Sequence, residues 1–421
     1  MKILHVTHQY HPAIGGSEQY ITELSEELVL RGHRVDVFTT RSSDYQTWSD
    51  TLKPYENING VDVYRFSSFQ RQKITWKILG IGLDRYWKKR SRIYQPMVWY
   101  GNGPLSPKKW TALLSKVSNY DVCHINLLHY AHSWPACLAA HWKKIPIVTT
   151  PHVHPAQRNT FDFDYLQNIL KASAVTIAVT EPERRFIKGL LPLNDIVLGG
   201  NGLHLDRYPA IDLTAGRRML GIPIDAFVML FLGRKIEYKG LDVCLTAFMG
   251  LRQKIDNAYF IAAGPETEYS TNLWKNGPAP DSLIVLGRVN EETKRAVLSS
   301  ADVLVLPSVG EAFGIVFLEA WAYRKPVIGA AIPSVSSIVD DGVNGYLVPP
   351  HNARLVEKRL LSMAQDNELR TRLGRNGRHK LESRFTVEAL ADVVEGTYQR
   401  IRRTHYDSGL KFNQPEYMGQ G

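Results

Sequence analysis

The sequence predicts an α/β protein of two doubly wound parallel sheets, each in its own domain, facing one another across a cleft. Three observations lead there. "KILHVTH" is an apolar run of strand length; "PAIGGSEQYITELSEELVLRG" is a Gly-rich loop entering a helix with Ile21, Leu24 and Leu28 on one face and Gly32 as its stop; "HRVDVFTT" is a second strand. So short a strand, loop, helix and strand implies a parallel pair joined by a right-handed crossover. The same alternation resumes after the stretch 204–223, and 421 residues suffice for two cores.

In the first half, further strands are expected at "DVCHI", "IPIVTTPH" and "VTIAVT", with a basic insertion over about 41–118 interrupting the sheet. In the second half, "FVMLFLGR", "AYFIAAG", "SLIVLGR", "DVLVLPS", "KPVIGAA" and "GYLVPP" read as strands. "GLDVCLTAFMGLRQKI" and "EETKRAVLSS" are helices between them. The polar, proline-bearing stretch 204–223 marks the boundary, and the chain beyond Asn352 turns helical. The expected division is 1–205, 206–385, a last helix over 386–405 and a tail over 406–421 without periodicity.

Composition excludes several classes. With 44% hydrophobic and 22% charged residues, the chain reads as soluble and globular, and no apolar run approaches the ~20 residues that span a bilayer. The start "MKILHVTH" lacks a signal region, so a cytoplasmic location is expected. Cys123, Cys137 and Cys244 offer no zinc or disulfide spacing and fit a reducing compartment. The formal charge of +10 is concentrated in Arg71, Lys73, Lys77, Arg85, Lys88, Lys89, Arg90, Arg92, Lys108 and Lys109, against Asp84 alone. Trp76, Tyr86, Trp87, Tyr94, Trp99, Tyr100 and Trp110 are interleaved there. Such a mixture suits peripheral contact with an anionic membrane, or a solvated basic surface whose rings pack on the domain beneath; both readings stand.

In open α/β sheets, ligands sit beyond the carboxyl ends of the strands, against helix starts. Gly15 and Gly16 follow the first strand and precede a helix. Arg234 and Lys239 follow "FVMLFLGR" and flank the next helix start, as a diphosphate clamp would, though surface cations would look the same. In "PSVGEAFGIVFLEAWAYRKPVIG", Gly314 opens a helix, with Glu311 just before it and Glu319 more than a turn inside. An ionised carboxylate only accepts, which suits vicinal hydroxyls of a ribose or hexose. The ordinary alternative is that Glu319 pairs with Arg324 or caps local amides.

Together, "HPAIGGSE", "NGLHLDRY", "GRKIEYKG" and above all "EAFGIVFLE", two glutamates separated by seven residues, resemble the retaining GT-B glycosyltransferases of the GT4 type, over Met1 to about Arg403. The resemblance implies transfer of a sugar from a UDP-, GDP- or other nucleotide diphosphate sugar, with no cofactor and no metal. Residue by residue, it implies that Gly16 lends an amide near the diphosphate and acceptor, that Arg234 and Lys239 hold the phosphates, and that Glu311 binds hydroxyls of the transferred sugar. The amides around Phe313, Gly314 and Ile315 would face diphosphate and sugar, and Glu319 the ribose. The base would lie near Gly264 and Arg288. His152 in "VTTPHVH" matches the histidine that approaches the donor sugar, with His154 its close neighbour. Glu311 and His152 are thus the catalytic candidates. The last helix would return to the first domain. "DFD" at Asp162–Asp164 mimics the metal motif of a different glycosyltransferase fold and is taken as chance.

The expected acceptor is a saccharide or lipid-linked saccharide, in glycan or polysaccharide assembly, with the enzyme cytoplasmic and in contact with the inner membrane face. Rival readings are an epimerase or phosphorylase, a sugar-nucleotide or lipid-binding protein without catalysis, and a nucleic-acid binder. The glutamate pair speaks against an epimerase, the lack of a pyridoxal-phosphate lysine context against a phosphorylase, and the intact donor residues against the binding protein. Nucleic-acid binding would leave the glutamates without a purpose.

Overall fold

The first sheet has eight strands, β1 (Lys2–Val6), β2 (Arg34–Thr40), β3 (Tyr55–Ile58), β4 (Val61–Phe66), β5 (Val122–Asn126), β6 (Ile147–Thr150), β7 (Val175–Ala178) and β8 (Ile196–Leu198), in spatial order β3-β4-β2-β1-β5-β6-β7-β8. The second has six, β9 (Phe227–Leu232), β10 (Ala258–Ala263), β11 (Leu283–Leu286), β12 (Val303–Leu306), β13 (Val327–Ala330) and β14 (Gly345–Val348), in order β11-β10-β9-β12-β13-β14. These come from a computed structural model that describes residues 1–44, 46–155, 162–209, 212–278 and 280–407. Every pair is parallel except the β3–β4 hairpin. Burial on both faces explains the near-continuous apolar runs: all six residues of β9 are buried. The doubly wound α/β architecture expected from the sequence is the one observed.

One expectation needs correction. The segment 41–118 does not interrupt the sheet, because β4 pairs with β2 from Asp36↔Asp62 to Thr40↔Phe66 and carries the sheet to its edge. In "VDVYRF", Val61, Val63 and Arg65 face inward in alternation, the signature of a half-buried strand that charge counting obscured. Only the part beyond the strand, with helices Lys73–Lys89, Gln95–Asn102 and Pro107–Lys116, lies outside the sheet. The short β8 also went unread.

Nor is the basic aromatic region uniformly exposed. Trp99 and Trp110 pack together, with centroids 5.8 Å apart, and Trp87 lies against Tyr86 and Phe163. Lys109 is fully buried and donates to the Thr7 carbonyl (3.2 Å). Phe69, Ile74, Trp76, Ile93 and Tyr100 remain exposed among exposed Lys73, Lys77, Lys88, Lys89 and Arg92.

The chain crosses between domains twice, and the crossings pair. Leu203 N–H donates to Phe385 O (3.0 Å) and Val387 N–H to Leu203 O (3.1 Å). The last helix, Val387–Asp407, then returns to the first domain, where Arg31 meets Asp392 (2.7 Å) and Glu395 (3.1 Å). It extends two residues into the expected tail; 408–421 lie outside the described residues. In the second domain, helix Asn367–Arg384 packs against helix Ile315–Ala322 through Gly374. A Cβ there would collide with the Arg324 carbonyl oxygen, so the close approach that seats the Glu319 helix requires glycine. Among the described residues, no helix is long and apolar enough to cross a membrane.

Candidate active site

The site is built where the carboxyl ends of β9 and β12 meet those of β1, β5 and β6. After β12, the chain turns through Gly314, whose φ of 91° and ψ of 56° suit glycine, into helix Ile315–Ala322. Phe317 N–H donates back to the Gly314 carbonyl (2.9 Å), while the amides of Ile315 and Val316 lie at the open start of the helix. Phe313 turns its ring away, edge-on to Phe385 (5.5 Å), so only its backbone can serve a ligand. Gly16 faces this start from the first domain: a Cβ on it would sit 3.7 Å from Ile315 Cγ2.

Lys239 ends the turn Glu237–Lys239 after β9, and its ammonium bonds Glu311 directly in a largely buried pair. The residues expected to hold phosphate and sugar are therefore brought together. Arg234 is half-buried on the same loop. Its charge adds to the lowering of the His8, His129 and His154 pKa values in the first domain.

Glu319 is buried, and its Oε1 accepts from Tyr208 (3.0 Å) and Lys294 (3.1 Å), not from Arg324. Tyr208 also accepts from Gln19 of the first domain (3.2 Å), so Glu319 sits where both domains and the linker meet. Arg288 does not line up with the clamp. Its guanidinium donates to the Pro12 carbonyl (2.7 Å) and ties the second domain to the "HPAIGGSE" loop. Beside it, a cavity of about 470 Å3 is lined by Glu266, Thr271, Trp274, Lys275, Val285 and Gly287.

His152 is buried with a left-handed φ of 54°. The Asn126 amide donates through Nδ2 to the Ser17 carbonyl (3.2 Å), which leaves Oδ1 to accept from His152 Nε2–H (2.8 Å). His152 Nδ1 is therefore the unprotonated, accepting nitrogen. Burial and the neighbouring His154 and His124 push its pKa down to about 3, so the ring is neutral. His154 lies nearer the donor groups. Burial draws it down to about 4, Glu311 opposes this, and Lys239 and Arg234 add to it. Between the two, the Val153 amide donates to Glu183 (2.6 Å), whose other oxygen accepts from Val179 N–H (2.7 Å). Glu183 is a buried staple for this loop, and desolvation raises its pKa to about 7.

Sequence reasoning missed Tyr208, Lys294, Asn126 and Glu183. Tyr208 stood within "NGLHLDRY", and Asn126 is a polar residue closing an apolar strand, so both left a signal. Lys294 and Glu183 look like ordinary helix-surface charges. The "DFD" carboxylates have protein partners: Asp164 accepts from Arg92 (3.0 Å) and Gln95 (2.6 Å), and Asp162 from Gln167 (3.0 Å).

Two facing parallel sheets, with charged groups and helix starts at their carboxyl ends, form the architecture of GT-B enzymes. The model for Glycosyltransferase Family 4 matches residues 14–207 and that for Glycosyl transferases group 1 matches 214–380; the chain belongs to the glycosyltransferases of GT4 type. It is 25% identical to N-acetyl-alpha-D-glucosaminyl L-malate synthase of Bacillus anthracis, over 93% of this chain and 96% of that one. Its fold matches sucrose-phosphate synthase from Thermosynechococcus elongatus with a TM-score of 0.75 at 20% identity, over 96% and 99% of the two chains. Anabaena HepE in complex with UDP-glucose matches with a TM-score of 0.72 at 18% identity, over 95% and 100%.

Proposed function

We propose that this glycosyltransferase moves a sugar from a nucleotide diphosphate sugar to an acceptor hydroxyl, with retention of anomeric configuration and without a divalent metal, in glycan, lipid-linked saccharide or polysaccharide assembly. The observation that carries this reading is the Lys239–Glu311 pair at the Gly314 helix start, with the charge of Arg234 acting on His154 of the first domain. Cleavage of the sugar–phosphate bond develops negative charge on the leaving diphosphate. Arg234, Lys239 and the amides of Phe313 to Ile315 supply fixed positive potential there. Glu311 takes sugar hydroxyls, and neutral His152 accepts a sugar hydroxyl through Nδ1. Glu319 holds the ribose, and the base seats toward Gly287. On this reading the diphosphate itself takes the acceptor proton on the face it leaves. HepE was solved with UDP-glucose, which supports a nucleotide sugar as donor.

The direct test is thermal unfolding with UDP, GDP, ADP, dTDP and their sugars, without metal, on the wild type and Glu319→Ala. One nucleotide should raise the wild-type Tm, by about 2.7 kcal/mol of stabilisation at a hundredfold excess over Kd, and the variant should lose that response. No shift from any nucleotide at millimolar concentration would reject the donor site and favour a role without catalysis.

For the acceptor, the exposed Ile74, Trp76 and Ile93 among exposed lysines support peripheral contact with an anionic membrane, where a lipid-linked saccharide would lie. Wild type is expected to co-sediment with phosphatidylglycerol vesicles at low salt. Alanine at Ile74, Trp76, Lys88 and Lys89 should abolish this and leave the nucleotide response intact; equal sedimentation of the two proteins would remove the membrane reading.

A further inference from the structure

Six side chains of the first domain and the last helix form a hydrogen-bonded chain in which every proton can be placed. The Ile21 carbonyl can only accept, so Ser25 Oγ donates to it (2.5 Å). Ser25 then accepts from His5 Nδ1–H (2.7 Å), which leaves His5 Nε2 to accept from the Tyr398 hydroxyl (3.2 Å). With its proton committed, Tyr398 accepts from His124 Nδ1–H (2.5 Å). His124 Nε2 accepts from Thr150 Oγ1 (2.8 Å), and Thr150 accepts from the Tyr20 hydroxyl (3.3 Å). All six side chains are fully buried. Reversing any link would set two donors, or two lone pairs, against each other in a dry interior. Burial keeps both histidines neutral, and the chain then sets their proton on Nδ1.

Tyr398 in the middle of this chain and Tyr20 at one end belong to different parts of the machine. Tyr398 arrives on Val387–Asp407, the helix that returns from the second domain. The Tyr20 ring meets His152 edge-on, with centroids 5.0 Å apart and planes at 83°. Tyr20 also lies on the helix that opens with Gly16. His152 occupies a backbone conformation that a non-glycine residue holds only when its surroundings impose it.

We propose that Tyr398 is a positioning residue for transfer. Its hydroxyl fixes, through His124 and Thr150, the Tyr20 ring on which His152 rests, so the first-domain half of the site is set only when the returning helix is docked. This rests on the reading of His152 as the donor-facing histidine. The diphosphate clamp lies in the other domain, so loss of the chain falls on sugar placement and turnover rather than on affinity for the nucleoside diphosphate.

Long-range ¹H–¹⁵N spectra of protein carrying ¹⁵N-histidine read the tautomers without substrate. His5 and His124 are expected as Nδ1–H between about pH 6 and 8, with no titration. In Tyr398→Phe, His124 should leave that state while His5, held by Ser25, keeps it; kcat should fall ~10-fold, and affinity for the free nucleoside diphosphate should stay within about twofold. Thr150→Val breaks the chain without touching the returning helix and should lower kcat in the same way, which keeps the test open if Tyr398→Phe folds poorly. An Nε2–H signal from either histidine in the wild type overturns the chain. Unchanged kcat in Thr150→Val overturns the positioning role, whatever happens to Tm. A wild type with no transfer activity sinks the functional reading and the positioning role with it, while the tautomer signals still decide the chain.

Discussion

Glu311→Gln is expected to transfer sugar about 10²–10³-fold more slowly than wild type and yet to bind the nucleoside diphosphate at least as tightly. The reason lies in the pair that Glu311 makes with Lys239. A diphosphate entering the cleft competes with that carboxylate for the ammonium, so a neutral side chain at 311 releases the lysine to the phosphates. The same change removes the acceptor-only group that would hold the sugar hydroxyls as charge develops at the anomeric centre. Lys239→Met should behave oppositely and lose both the nucleotide-induced rise in Tm and transfer. It should also lose stability, because Glu311 would remain as a largely buried carboxylate without its cation. The two variants, scored by nucleotide-induced Tm shift and by kcat, separate a sugar-holding glutamate from a structural ion pair. If Glu311→Gln lost nucleotide binding and kept normal turnover on saturating donor, Glu311 would not be the sugar ligand.

Much of the fold was legible because a parallel sheet buried on both faces writes itself as short apolar runs, and "FVMLFLGR" or "DVLVLPS" admits few other readings. The edge of the first sheet was less legible. In "VDVYRF", alternation over six residues was drowned by the surrounding charge, and Arg65 sits at an inward position, where it is held by Glu56 (2.7 Å) and the His11 carbonyl (2.8 Å). At the site, positions beside glycines at strand ends could be named, since close backbone approach restricts the residue type. Partners could not. Nothing in the spacing of Lys239 and Glu311 says that they pair, and the meeting of Gln19, Tyr208, Lys294 and Glu319 depends on how two domains and a linker converge. Lys109 shows the converse: a lysine read as part of a basic surface is fully buried, its ammonium donating to the Thr7 carbonyl just beyond β1.

Acid should destabilise this protein steeply, with Tm falling as pH drops from 6.5 to about 4.5. His5, His8, His124, His132 and His152 are all buried, and burial draws each pKa down, to about 3 for His5 and His152 and well below the ordinary value for the others. Unfolded, each returns to about 6.5. Between these limits the unfolded chain binds protons that the native one refuses, so stability rises with pH through this window and is lost on acidification. Two carboxyls act in the other sense. Desolvation raises Glu23 and Glu183 to about 7, so the native state holds protons that the unfolded chain releases above about 4.5, and their contribution falls as pH rises. Burial likewise lowers His129 to about 3 and His154 to about 4, so the histidines outweigh the two glutamates and unfolding near pH 5.5 takes up several protons. Above pH 7 the slope should become gentler but keep its sign, since burial lowers Lys109 to about 7 and the unfolded lysine stays charged to about 10.4. Urea titrations at half-unit steps from pH 5 to 8 measure this directly. A stability flat between 7 and 5 would mean that the histidines at the carboxyl edge of the first sheet are open to water, and the neutral His152 on which sugar binding depends would have to be given up.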